Sequence, residues 1–299
     1  MTTPCSPLRY PGGKQVLSRV LSTLIRLNGC EGGVYAEPYA GGCGAGLHLL
    51  FSERISGLAI NDADSCIYAF WKAILTKTGL FLKMLRDVPL SVGEWERQRE
   101  IYLRGPRQSI LKLGFSTFYL NRCNRSGIIA NGGLIGGRRQ AGKWRLDARF
   151  NKNGLRQRIE RIAIYRERIR LSNLDALEFL SATATEHDMS RRTFVYLDPP
   201  YFVKGSQLYL DYYQPNDHDT LAKYLGGRPP FPWALSYDNV PPVHTLYRKQ
   251  RRLPFNLSYS ARERRMGKEL LIIDPKLRTP PDWKTNIPQH YVATQNAAA

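Results

Sequence analysis

The residues with the plainest chemical potential are Asp198-Pro199-Pro200-Tyr201, which follow the apolar run Thr193-Phe194-Val195-Tyr196-Leu197. Neither proline has an N–H to give to a β-ladder, so the pair ends a strand and fixes a stiff turn. The turn sets the Asp198 carboxylate and the Pro199 carbonyl beside each other as acceptors, with the Tyr201 ring nearby. Such a group suits a planar ring that bears an NH2 substituent. The two acceptors take the two amine hydrogens, and the tyrosine stacks on the ring. An exocyclic amine is a poor nucleophile while its lone pair is delocalised. Holding both hydrogens favours the pyramidal form that can attack a methyl sulfonium. The carboxylate also stabilises positive charge developing on nitrogen, a preorganised electrostatic effect that is usually the largest. This chemistry calls for no metal and no covalent intermediate.

A second candidate is the glycine loop Tyr39-Ala40-Gly41-Gly42-Cys43-Gly44-Ala45-Gly46, after the short apolar run Gly33-Val34-Tyr35-Ala36-Glu37-Pro38. Glycines after a strand let backbone approach a ligand closely, at the edge where parallel strands point their carboxyl ends. Asp62 closes the next apolar run, Gly57-Leu58-Ala59-Ile60, about twenty residues on, where an acid can accept from ribose hydroxyls. That logic serves nicotinamide dinucleotides, flavins and S-adenosylmethionine alike. A structural glycine turn would read the same way.

The elements around these loops alternate. Val16 to Leu27 has helical spacing, and strand, glycine loop and helix follow. A second strand then leads to a helix carrying Ile67, Phe70, Trp71 and Ile74. This βαβα order predicts a parallel sheet with helices on its faces. From Glu94 to about Arg170 the pattern changes. Arginine and glycine crowd in, and Gly132, Gly133, Gly136 and Gly137 stand where core formers are few. This stretch reads as a hairpin-bearing insert, with helical spacing returning from Leu155 to Ile169. The α/β pattern resumes at Ile169-Arg170-Leu171-Ser172-Asn173-Leu174-Asp175. Pro232 to Tyr237 and Lys268 to Ile273 read as late strands of the same sheet.

The chain has 299 residues, 42% of them hydrophobic, enough for a sizeable core. Lys and Arg number 44 against 25 Asp and Glu, a net charge of +19. Such a field favours a polyanion, either nucleic acid or an anionic membrane surface. The longest apolar stretches fall far short of the ~20 residues a spanning helix needs. Met1 to Pro7 has no basic region followed by an apolar one, so no signal peptide is expected. Cys5, Cys30, Cys43, Cys66 and Cys123 are scattered without ligand spacing. A disulfide framework or zinc site is not expected, and a reducing cytoplasm fits. The five histidines show no triad or metal spacing and receive no role.

The basic residues concentrate. Arg122, Asn124, Arg125, Arg138, Arg139, Lys143 and Arg145 surround the glycine-rich stretch and are the candidate DNA contacts. An arginine there can pair with guanine or grip a phosphate, and phosphate contact is the commoner use. Arg248, Lys249, Arg251 and Arg252 form a further run, as do Arg262, Arg264, Arg265 and Lys268, each read as a solvated or backbone-binding surface.

Taken in order along the chain, several motifs resemble the Dam-like family of bacterial and phage adenine DNA methyltransferases. They are Arg9-Tyr10-Pro11-Gly12-Gly13-Lys14, Glu37-Pro38-Tyr39-Ala40-Gly41, Asn61-Asp62, Phe118-Tyr119-Leu120-Asn121-Arg122 and Asp198-Pro199-Pro200-Tyr201. Leu235-Ser236-Tyr237-Asp238 and Leu257-Ser258-Tyr259-Ser260 belong to the same resemblance. It implies a Rossmann-like class I methyltransferase fold with S-adenosylmethionine as donor and no metal. It divides the chain into a catalytic α/β domain, residues 1–75 and 166–299, and an inserted target-recognition domain, 76–165. Tyr10 and Lys14 are expected against the donor, with Lys14 near the active site. Glu37, Gly41, Gly42 and Gly44 are expected to line the methionine end, Asp62 to hold the ribose and Asp175 to meet the donor's adenine, with Asp198 also against the donor. Asp198 binds the target amine, and Tyr201 stacks on a base flipped from duplex DNA. A monomer in the bacterial cytoplasm is the default, and a functional partnership with a restriction nuclease or other defence component is compatible.

The chain also departs from the family. Cys43 stands between Gly42 and Gly44, so two registers of the glycine loop are open, and Ala176 occupies a position often aromatic. Residues 124–133 differ from the recognition hairpin of GATC-specific members, so no recognition sequence follows. A cytosine amine, RNA or a protein amide would suit the same proline turn, and a DNA-binding relative without catalysis would keep the same fold.

Overall fold

The computed structural model describes residues 4–10, 14–185, 192–202, 214–260, 264–289 and 292. Pro11, Gly12 and Gly13 of the early motif lie outside the described residues, as do His187, Arg262 and His290.

Seven strands form one sheet: β1 (Val34–Glu37), β2 (Gly57–Asn61), β3 (Ile169–Ser172), β4 (Thr193–Leu197), β5 (Trp233–Asp238), β6 (Arg251–Ser260) and β7 (Arg264–Ile273). Their order is β3-β2-β1-β4-β5-β7-β6. The first five run parallel, and β7 and β6 are antiparallel additions at one edge. This is the mixed, mostly parallel sheet of a Rossmann-like methyltransferase fold. The chain order reverses between the neighbours β1 and β4, so their carboxyl ends open the crevice where such sheets bind ligands.

Successive residues of each strand serve opposite faces. Tyr35, Leu58, Ile60, Phe194 and Tyr196 join the core on one face, and Ala36, Ala59, Val195 and Leu197 join that on the other. The first face is covered by α1 (Ser18–Leu27), α2 (Gly44–Phe51) and α3 (Ser65–Thr76), the second by α8 (Ala176–Thr185), α9 (Pro215–Gly226) and α10 (Pro241–Leu246).

Between α3 and β3 lie four helices: α4 (Thr78–Asp87), α5 (Val92–Leu103), α6 (Ile110–Cys123) and α7 (Lys152–Ile164). Phe81 and Phe118 from this segment pack on Phe70 of α3, and Phe115 and Phe150 pack on them in turn, continuous with the first core. A Cβ on Gly114 would sit 2.4 Å from the Ala69 carbonyl, so glycine permits the close approach of α6 to α3.

The glycine-rich stretch is not the hairpin expected of it. Among the described residues it holds one bridge pair, Asn124 with Leu134, a short 3-10 turn over Arg125–Gly127, and otherwise turns and bends. The Gln140 amide donates to the Ile135 and Gly137 carbonyls and accepts from Leu146 N. Those bonds satisfy backbone groups that a ladder would otherwise take. The antiparallel hairpin is instead β6–β7, whose first strand opens with the basic pair Arg251-Arg252. Pro254 lies exposed in β6, an edge strand, where the missing N–H costs no ladder bond.

Candidate active site

Each candidate acid sits where a strand stops. Glu37 ends β1, Asp62 follows β2 and Asp198 follows β4. Glu37 is buried at 5% exposure and accepts from Gly46 N at 3.1 Å. Burial pushes its carboxyl up to about 8, against the opposing pull of the Tyr35 hydroxyl, the Cys43 thiol and the Gly46 N–H. Asp62 accepts from Gly41 N at 2.8 Å and Asp64 N at 3.0 Å, which ties the glycine loop to the end of β2.

The backbone of the glycine loop turns sharply before the helix that follows it. Gly41 has φ +45° and Cys43 is left-handed, φ 46°, so the helix α2 starts at Gly44. A Cβ on Gly41 would lie 3.1 Å from the Tyr10 ring and one on Gly42 3.2 Å from it. The two glycines thus make room for Tyr10, while Gly44 faces Gln15, 3.3 Å from a notional Cβ. The Trp71 indole donates to the Gly41 carbonyl at 2.9 Å and braces the loop from below.

At the proline turn, Asp198 Oδ1 accepts from the Ser236 hydroxyl at 2.7 Å, and Tyr196 OH lies 2.8 Å from that same Ser236 oxygen. The Lys14 ammonium lies 3.4 Å from Asp198 Oδ1 and 3.4 Å from Glu269 Oε2. It also donates to the Tyr201 hydroxyl and lies 4.9 Å from the centroid of the Tyr201 ring. The Tyr201 hydroxyl in turn donates to Glu269 Oε1 at 2.7 Å. Burial, then the Glu269 and Asp198 charges, hold the Tyr201 phenol well above its ordinary range. Burial raises the Glu269 carboxyl too, and Lys14 opposes the rise. Lys14, Asp198, Tyr201 and Glu269 therefore form one hydrogen-bonded group of two acids, one cation and one phenol.

Glu269 was missed in the sequence, where it introduces the apolar run Leu270-Leu271-Ile272-Ile273. It is 1% exposed and pairs in register with Asp238 at the carboxyl end of β5. An acid in a strand otherwise buried was the available signal. Asp238 adds a second tie, accepting from Phe202 N at 3.2 Å and so fixing the chain just beyond Tyr201.

The remaining candidates separate. Asp175 is exposed and caps α8, accepting from Leu177 N at 2.8 Å, beyond the end of β3. Arg125, Arg138, Arg139, Lys143 and Arg145 are exposed. Arg122 and Asn124 are not. The Arg122 side chain is 8% exposed, donates to the Arg149 carbonyl at 2.7 Å, and is pushed down to about 9 by burial and the nearby Arg9 and Arg158 charges. Asn124 is 1% exposed, accepts from the Trp95 indole at 2.7 Å and donates to the Ile128 and Ile129 carbonyls. Both hold the glycine-rich stretch in place from inside. Among the described residues no cluster of His, Cys, Asp and Glu is placed to hold a metal, and no helix is long and apolar enough to cross a membrane.

A mostly parallel sheet with acids at the ends of β1, β2 and β4, and an Asp-Pro-Pro-Tyr turn at its switch point, defines an amine methyltransferase of Rossmann-like fold. The family model of the D12 class N6 adenine-specific DNA methyltransferases matches residues 10–261, and the chain belongs to that family. It is thus an enzyme whose substrate is adenine in DNA. A comparison with curated proteins finds no match.

Proposed function

We propose that this chain transfers the methyl group of S-adenosylmethionine to N6 of an adenine turned out of duplex DNA, with Asp198, Pro199, Tyr201 and Lys14 as its catalytic group. The convergence of Glu37, Asp62 and Asp198 on three adjacent strand ends carries this reading. A donor with a cationic sulfonium, an amino-acid tail and a ribose fits acids so placed, and the glycine loop lets backbone come close to it. When bound, the donor supplies an electrophilic methyl group. Glu37, Gly41, Gly42 and Gly44 would line its methionine end, Asp62 its ribose and Asp175 its adenine, with Tyr10 and Lys14 alongside.

The chain's own residues supply the rest. Ser236 and Lys14 fix Asp198 Oδ1, leaving Oδ2 and the Pro199 carbonyl to accept the two amine hydrogens. Lys14 offsets the repulsion between Asp198 and Glu269, and Glu269 holds the Tyr201 ring at the angle from which it stacks on the extrahelical base. Residues 76–165 form the target-recognition segment, with Arg125, Arg138, Arg139, Lys143 and Arg145 toward DNA and Arg122 and Asn124 bracing them. Titration calorimetry with S-adenosylmethionine tests the donor half of this scheme. Asp62→Ala should weaken binding by about tenfold or more, as expected for a lost hydrogen bond to a charged group. Unaltered affinity in that variant would remove Asp62 from the donor site.

A further inference from the structure

Trp144 has no role in the scheme above, and its placement is unusual. The indole is 51% exposed in a protein whose other tryptophans 71, 95, 233 and 283 are buried. Its loop cannot fold it away. Leu134 and Leu146 are 4% exposed and Phe150 3%, so the stretch is anchored on both sides of the tryptophan. The Gln140 side chain closes the loop between Ile135, Gly137 and Leu146. Gly136 has φ +80°, and a Cβ there would lie 2.8 Å from the Trp144 carbonyl. The backbone on both sides of Trp144 is therefore anchored, and the ring lies at the surface.

Two cations lie beside the ring. Lys143 Nζ lies 5.6 Å from the ring centroid and Arg149 Cζ 6.0 Å. Arg138, Arg139 and Arg145 are exposed on the same loop. The root of the loop is tied to the chain entering the active site, because Asn121 bonds both the N–H and the carbonyl of Arg9 and also the Gly127 carbonyl. A surface aromatic beside cations, on an anchored arm joined to a base-modifying site, matches one partner in shape and charge. At an opened step of a duplex a nucleobase offers a flat face to an indole while the phosphates meet the cations.

We infer that Trp144 is a base-stacking contact to the DNA duplex, with Lys143, Arg145 and Arg149 holding phosphates beside it. The inference rests on the DNA substrate of the proposed function but not on methyl transfer, and it is read in binding alone. The probe is a duplex selected from a random-sequence pool by its affinity for the wild-type protein, titrated over a range of salt. Stacking releases no counterions, so Trp144→Ala should bind about tenfold more weakly at every salt concentration with the salt slope unchanged. Trp144→Phe, which keeps a flat ring, should recover most of the loss. Trp144→Leu, which keeps apolar bulk without a ring face, should not. Wild-type affinity in the alanine or leucine variant would overturn the inference, as would a loss that appears only as a changed salt slope. Self-association of the wild-type protein that the alanine variant abolishes would also overturn it and assign the ring to a protein contact. Failure of adenine methylation with this binding pattern intact would instead count against the catalytic reading alone.

Discussion

The Tyr201 hydroxyl donates to Glu269 Oε1 at 2.7 Å, and Lys14 reaches both residues, so the aromatic of the proline turn is held by an acid 68 positions away in sequence. Removing one partner from a buried charged group usually costs about 3–5 kcal/mol, because the other charge is left uncompensated. Glu269→Ala should therefore lower thermal stability clearly. Glu269→Gln keeps an acceptor for Tyr201 but no charge for Lys14. It should fold with a smaller loss, and its kcat should fall more than its KM for DNA rises. Wild-type kcat in the glutamine variant would show that Lys14 needs only Asp198.

Glu37 sets a pH dependence. Its carboxyl is raised to about 8 in the folded protein, so the folded state binds more protons than the unfolded one between the ordinary carboxylate range and that value. On Glu37's account, stability should fall as pH rises through this window. A cationic donor group beside Glu37 favours the ionised form, so binding near neutral pH should release a proton, and affinity should rise with pH up to about 8. Calorimetry in buffers of different ionisation enthalpy counts that proton. Glu37→Gln should abolish it, and a proton count unaffected by the substitution would move the donor away from Glu37.

The exposed arginines and Lys143 of the glycine-rich loop should act through phosphates as well as bases. DNA affinity should fall steeply with ionic strength, and Arg138→Ala with Arg139→Ala should flatten the slope by about one to two charges. Arg122→Ala should behave differently. Its side chain is spent on the Arg149 carbonyl, so its loss should appear in thermal stability, with a smaller change in salt slope. A slope change as large as that of the exposed pair would mean that Arg122 reaches DNA itself.

These distinctions mark how far the sequence is legible. Short apolar runs stopped by Glu37, Asp62 and Asp198 announce β1, β2 and β4, because a parallel strand buried on both faces must be continuously apolar and a polar residue at its end is free to face the crevice. The antiparallel edge hides itself. Arg251 and Arg252 open β6 and look like a solvated run, while Leu253 and Phe255, which join the core, stand between polar residues and a proline. Glu269 reads as the polar start of an apolar strand, and only the pairing of β7 with β5 brings it beside the proline turn. Arg122 and Asn124 fail as surface readings for a related reason. Residue type suggests exposure, but α6 packs its last turn inward, and the Arg149 carbonyl and Trp95 indole that satisfy the two side chains are remote in sequence.

Asp198 and its turn are proposed to direct a sulfonium methyl group to the adenine amine. Duplex DNA incubated with methyl-labelled S-adenosylmethionine and then digested to nucleosides for mass spectrometry tests it most directly. Label should appear in N6-methyl-2′-deoxyadenosine with the wild-type protein. Asp198→Ala should reduce it by about a hundredfold or more, as for other preorganised transition-state contacts, while DNA affinity stays within several-fold. Label in cytosine or in protein with none in adenine, or substantial adenine methylation by Asp198→Ala, would contradict the account.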